Sequence, residues 1–166
     1  MPSTQEISKY IAELNRQYQT NIAREHAYRP ALKQLLETML PNLIVLNDPK
    51  RQDCGAPDFI LLRNKDSIPV AFIETKDLND TDLAGRNRNK EQFERYKQSL
   101  GNIIFTDYLD FRFYENGESS NSIRIAELNG DKKLADIMAG KARLMAEVIL
   151  NSLLKDRNQF QPPSLL

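Results

Sequence analysis

Two short apolar runs, Phe-Ile-Leu-Leu at 59–62 and Val-Ala-Phe-Ile at 70–73, constrain this chain more than any other feature. Both are partly β-branched, both are bounded by Gly, Pro, Asn, Asp or Ser, and both are too short for helices, so they read as buried strands. The polar residues 64–67 form a compact turn, and the strands pair as neighbours in a hairpin. Each run carries acid at one end: Asp58 opens the first, and Glu74-Thr75-Lys76 closes the second. An antiparallel pairing brings these ends together. Side chains repeat every second residue along a strand, so Glu74 and Lys76 share a face. Two close carboxylates cost several kcal/mol to bury unless a cation or a proton sits between them. Two acids and an ammonium group at one point suit a divalent hard cation, a water and a phosphate.

The rest of the chain limits the setting. At 166 residues it is long enough for one domain with a real core. With 23 basic and 23 acidic residues the net charge is zero, so any grip on nucleic acid must come from local clusters or from another part of a longer protein. No apolar run is long enough to span a bilayer, and the N-terminus has neither the basic start nor the apolar stretch of a signal peptide. The single cysteine, Cys54, reads as a buried small residue beside Gly55. Together these features predict a cytoplasmic protein.

Ile7, Tyr10, Ile11, Leu14, Tyr18 and Ile22 recur at helical spacing and predict a first helix, capped by Ser3 or Thr4 and ending near Arg24. Pro30 starts a second helix with Leu32, Leu35, Leu36 and Met39 on its buried face, and Pro41 stops it. A strand at 43–46 follows, then the exposed pair Lys50 and Arg51, which either touch phosphate or are plain surface charge. After Lys76 the chain turns polar, and the second half of that stretch, 85–90, with the evenly spaced Arg86, Arg88 and Lys90, reads as a mobile loop or frayed helix start. These cations either grip a phosphate backbone or are a solvated surface. The helix at 91–100 places Phe93, Tyr96 and Leu100 on the core, puts Gln92 one turn before Tyr96, and ends at Gly101 in the C′ position. Strands are predicted at 102–105, 111–114 and 122–127, with a hairpin turn at 115–118, and a long helix over 131–154. Residues 157–166 read as a linker or tail. The single histidine, His26, is given no catalytic role.

The residues Pro57-Asp58 and Glu74-Thr75-Lys76 resemble the PD-(D/E)xK nuclease superfamily. The Gln92-x-x-x-Tyr96 spacing is similar to the additional motif of its recombination-exonuclease branch. Segments 25–32, 47–51, 55–58, 74–77 and 106–108 resemble the N-terminal nuclease domain of type IIG and type ISP single-chain restriction-modification enzymes. The resemblance implies an α/β restriction-endonuclease-like fold. Its mixed central sheet is flanked by helices, preceded by a helical N-terminal segment and followed by a long C-terminal helix. It implies an endonuclease domain over 1–156, with 157–166 leading to a methyltransferase or motor region. It also implies Mg²⁺, replaceable by Mn²⁺, held by Asp58, Glu74 and the Thr75 backbone carbonyl, with Glu25 a further candidate ligand. Asp58, Glu74, Lys76 and Gln92 would be the catalytic residues, with Gln92 bracing the site and Tyr96 supporting it, and Lys50, Arg51, Arg86, Arg88 and Lys90 would contact double-stranded DNA.

Neither an Asn-Pro-Pro-Tyr-type sequence nor a Gly-Lys-Ser/Thr loop is present. S-adenosylmethionine and target recognition are therefore expected only of further domains. The other readings are a stand-alone repair or junction-resolving nuclease, or a catalytically inactive DNA-binding or docking module of the same fold.

Overall fold

The computed structural model describes residues 4–129 and 134–136. Helix α1 (Thr4–Tyr18), a 3-10 turn (Glu25–Tyr28) and helix α2 (Arg29–Met39) precede the sheet. Strands β1 (Leu43–Asn47), β2 (Phe59–Arg63) and β3 (Pro69–Thr75) follow, then helix α3 (Lys90–Ser99), β4 (Asn102–Thr106), β5 (Asp110–Glu115) and β6 (Glu118–Arg124). A separate two-stranded sheet pairs β7 (Ala126–Leu128) with β8 (Leu134–Asp136).

The main sheet runs β1-β2-β3-β4-β5-β6 in chain order. All neighbours are antiparallel except β3 and β4, which are parallel. Parallel neighbours need a crossover, and α3 supplies it. This is the mixed, helix-flanked sheet of the restriction-endonuclease-like fold.

The central strands are apolar without interruption because both of their faces are covered. Phe59, Leu61, Ala71, Ile73 and Ile104 pack on the side that carries the buried faces of α1 and α2. Ile60, Phe72, Ile103 and Phe105 point the other way, onto Phe93, Tyr96 and Leu100 from α3 and the residue after it. The Phe93 and Phe105 rings stack with centroids 3.8 Å apart. Cys54 is buried in this second layer.

Several predicted boundaries move. Helix α1 stops at Tyr18, and Asn21 takes a left-handed φ of 60°. Ile22 therefore leaves the helical stripe and is 85% exposed. The α3 chain leaves the helix at Leu100, which is already extended, so Gly101 does not make a left-handed cap. The hairpin turn at Asn116 and Gly117, both with positive φ, starts β6 at Glu118, ahead of its predicted first residue. The strand predicted at 122–127 is divided between β6 and β7. Leu134–Asp136, predicted as the start of a long helix, instead pair with β7 as a strand. The remainder of that helix, and the tail at 157–166, lie outside the described residues. Among the described residues no helix is long and apolar enough to cross a membrane.

Candidate active site

The β2–β3 register pairs Phe59 with Ile73. One step outward, Asp58 stands across from Glu74. The parallel β3–β4 pairing sets Thr75 against Thr106, so the ends of three strands converge there. Because β3 is covered on both faces, its last side chains are buried as well: Glu74 is 4% exposed and Thr75 fully buried, while Asp58 is 8% exposed.

Each acid meets a different layer. Asp58 faces the helical layer before the sheet. Its Oδ2 accepts the Thr75 backbone N–H and the Thr75 hydroxyl, both at 2.7 Å. Its Oδ1 accepts the Arg29 guanidinium from the first turn of α2. Glu74 faces α3. Its Oε1 accepts the Gln92 amide at 2.9 Å and the Lys76 ammonium at 3.3 Å. Lys76 also donates to the Gln92 side-chain oxygen at 2.6 Å. Gln92, Lys76 and Glu74 thus close a triangle that fixes the ammonium group beside the carboxylate.

Glu74 Oε2 is buried and has no hydrogen-bond partner. Burial above all, and then the Asp58 carboxylate, push its pKa up from 4.5 to about 7, against the pull of Lys76. A buried anion with one oxygen unsatisfied and a second carboxylate nearby is short of positive charge. The donor set of hard oxygens, few in number, fits a divalent ion that keeps much of its water.

Glu25 lies at the edge of this group. Its carboxylate is 3.4 Å from both the Thr75 hydroxyl and the Arg29 guanidinium. Its turn is tied down by Tyr108, whose hydroxyl donates to the Glu25 carbonyl at 2.6 Å. Tyr108 follows β4 with a left-handed φ of 73°, and its own carbonyl accepts the Tyr10 hydroxyl at 2.7 Å. Among the described residues no three Asp, Glu, His or Cys side chains gather into a metal-binding group. Glu25 thus stands between Arg29 and Thr75 beside the Asp58–Glu74 pair.

Tyr96 is buried one turn below Gln92, against Gly55. Gly55 has φ +136°, and a Cβ there would meet Tyr96 Cε1 at 2.9 Å. The bend that delivers Pro57-Asp58 to β2 is thereby packed directly on α3.

The expected cations are distributed unevenly. Lys50 and Arg51 are exposed between β1 and Asp58. Arg86, Arg88 and Lys90 are exposed between Lys76 and Gln92, but Arg88 is paired with Asp80. The segment 85–90 is not a loose loop. The Asp82 carboxylate, 4% exposed, accepts the backbone N–H groups of Arg86, Asn87 and Asn89. The Asn89 side chain returns to Asp80 at 3.2 Å and to the Asp82 carbonyl at 3.0 Å.

Arg29 and Tyr108 are the site residues that sequence reasoning did not assign. The Glu25-x-x-x-Arg29 spacing and the need of a buried Asp58 for a counter-charge were the available signals for Arg29.

No protein-family model matches the chain, and no curated protein matches it. Among solved structures, the chain is similar to one in a cryo-EM structure of a DrdV–DNA complex, with a TM-score of 0.62 and 21% sequence identity. The match covers 97% of this chain, which spans only 14% of the length of that one, and the likeness is one of fold.

Proposed function

We propose that this chain is a Mg²⁺-dependent DNA endonuclease domain of the PD-(D/E)xK type, part of a larger restriction-modification enzyme. One observation carries the reading. Asp58, Glu74 and Lys76 meet at the end of the β2–β3 hairpin with Gln92 bracing two of them, and one buried Glu74 oxygen is left without a donor. The likeness to a chain of a DNA complex supports DNA as the substrate. The 14% share of that longer chain is in keeping with further domains.

Asp58, Glu74 and the Thr75 carbonyl would hold the ion, with Mn²⁺ able to replace Mg²⁺. When bound, the ion supplies charge for the phosphate and acidifies a water. The protein does the rest by placement. Thr75 fixes Oδ2 of Asp58 through its backbone N–H and its hydroxyl, which sets the orientation of that carboxylate. Gln92 and Glu74 hold the Lys76 ammonium through two of its three donor positions. The third is left to orient the attacking water or to meet charge building on the phosphorus oxygens. Lys50, Arg51, Arg86 and Lys90 are the cations exposed for the phosphate backbone. Arg88 would first have to leave Asp80.

The test is conversion of supercoiled plasmid to nicked or linear DNA in Mg²⁺. Asp58→Asn and Lys76→Ala should each lower the rate at least about a thousandfold while leaving the far-UV circular dichroism unchanged. Cleavage at the parental rate by either variant would overturn the assignment.

A further inference from the structure

We propose that Arg29 is the resident counter-cation of this site and gives way to the divalent ion at Asp58. The inference rests on the metal-dependent reading above. It concerns a residue from outside the strand motifs, brought in by the start of α2.

The observations are those of a cation held by charge on one edge. The Arg29 side chain is 11% exposed and pairs with Asp58 Oδ1. Glu25 lies 3.4 Å from the same nitrogen, and Asp48 lies 3.5 Å from the other terminal nitrogen. Its Nε is buried and makes no hydrogen bond. The guanidinium is therefore surrounded by acid but not locked by a full set of acceptors.

Asp58 is nearly saturated. A carboxylate offers about four lone-pair sites. Both sites on Oδ2 are used by Thr75, and Arg29 uses one on Oδ1. An ion bound through Asp58 must share Oδ1 with a guanidinium. Like charges at that separation repel strongly where solvent is scarce. Arg29 keeps carboxylate partners when it leaves Asp58, because Glu25 and Asp48 already flank it. Paired with Asp58 Oδ1, Arg29 thus neutralises that carboxylate. Loading trades that contact for the ion, which sets the intrinsic metal affinity lower than the bare carboxylates would give.

A residue that merely oriented Asp58 would act in the opposite sense, so the direction of one change decides. Mn²⁺ alone, without DNA, is titrated into the parental protein and into Arg29→Gln, with free Mn²⁺ read by electron paramagnetic resonance. Arg29→Gln is expected to bind Mn²⁺ about tenfold more tightly or better, and Arg29→Lys, which keeps the charge, within about threefold of the parent. Unchanged or weaker binding by Arg29→Gln overturns the proposal.

A second measurement needs no variant. Saturating Mg²⁺ should move the Arg29 Nε–H and Thr75 amide resonances of the parental protein together. A shift at Thr75 with Arg29 unmoved also overturns the proposal, even if Arg29→Gln does not fold. Absence of Mn²⁺ binding by both the parental protein and the variants would instead remove the metal reading itself, and this inference with it.

Discussion

At the scale of single residues, Glu74 carries the sharpest consequence. Its carboxyl has a folded pKa near 7 against an ordinary 4.5, with burial the first cause. A carboxyl raised in this way favours the folded state at pH values below its unfolded pKa. The contribution is lost as pH rises from about 4.5 through about 7, and above that the ionised group opposes folding. Glu74→Gln should therefore stabilise the metal-free protein at pH 8, on the order of 2–3 kcal/mol, and leave it little changed at pH 4. The amide oxygen can still accept Gln92 and Lys76. Thermal melts of both forms in chelator at the two pH values check this. Equal melting temperatures at pH 8 would mean that Glu74 is not penalised in the folded state.

The residues of the hairpin motif were legible in sequence because their neighbours forced them. An acid that directly abuts a buried strand has little freedom to point elsewhere. Arg29 was not legible in the same way. Its partner Asp58 is 29 positions away, and only the packing of α2 on the sheet joins them. Gln92 stood between. Its spacing to Tyr96 was visible, but the triangle with Glu74 and Lys76 depends on how the α3 crossover lies on β3.

At the scale of elements, the contact between Gly55 and Tyr96 ties the bend before β2 to α3. Gly55→Ala would place a methyl group 2.9 Å from the Tyr96 ring at a φ of +136°. It should destabilise the protein by about 2–4 kcal/mol, measured by urea denaturation. It should also lower cleavage by the refolded fraction, since Asp58 and Gln92 sit on the two elements forced apart. A loss below about 0.5 kcal/mol, the usual range for surface substitutions, would show that the two elements do not press on each other.

The elements read correctly were those whose apolar pattern has one interpretation. Helix α2 buried its four expected residues, Leu32, Leu35, Leu36 and Met39. The failures have local causes. Ile22 continued a helical spacing past a point where the backbone had already turned at Asn21. Leu134–Asp136 belong to a run whose apolar residues also fit a helix, and only the partner strand β7 decides for extended backbone. Strand β6 begins Glu-Ser-Ser-Asn, an exposed edge without apolar alternation, so the turn and not the strand sets its start.

For the molecule as a whole, the sheet is a platform with one chemically distinct end. Two hydrophobic layers fix β2, β3 and β4 from both sides, and the three strand ends that converge beside them carry the buried polar side chains Asp58, Glu74, Thr75 and Thr106. With equal numbers of acidic and basic residues, the protein has no global field to draw in a polyanion. Under the proposed function, attraction to DNA would have to be local or shared with other domains. The proposed chemistry would in turn depend on one ion held between Asp58 on the α2 side of the hairpin and Glu74 on the α3 side. The most direct measurement is an anomalous difference map from crystals of the protein soaked in Mn²⁺. The expected result is a peak between the Asp58 and Glu74 carboxylates, with an oxygen of each coordinating the ion, and Arg29 turned away from Asp58. A map with no peak there, or with Mn²⁺ bound only elsewhere, would contradict it.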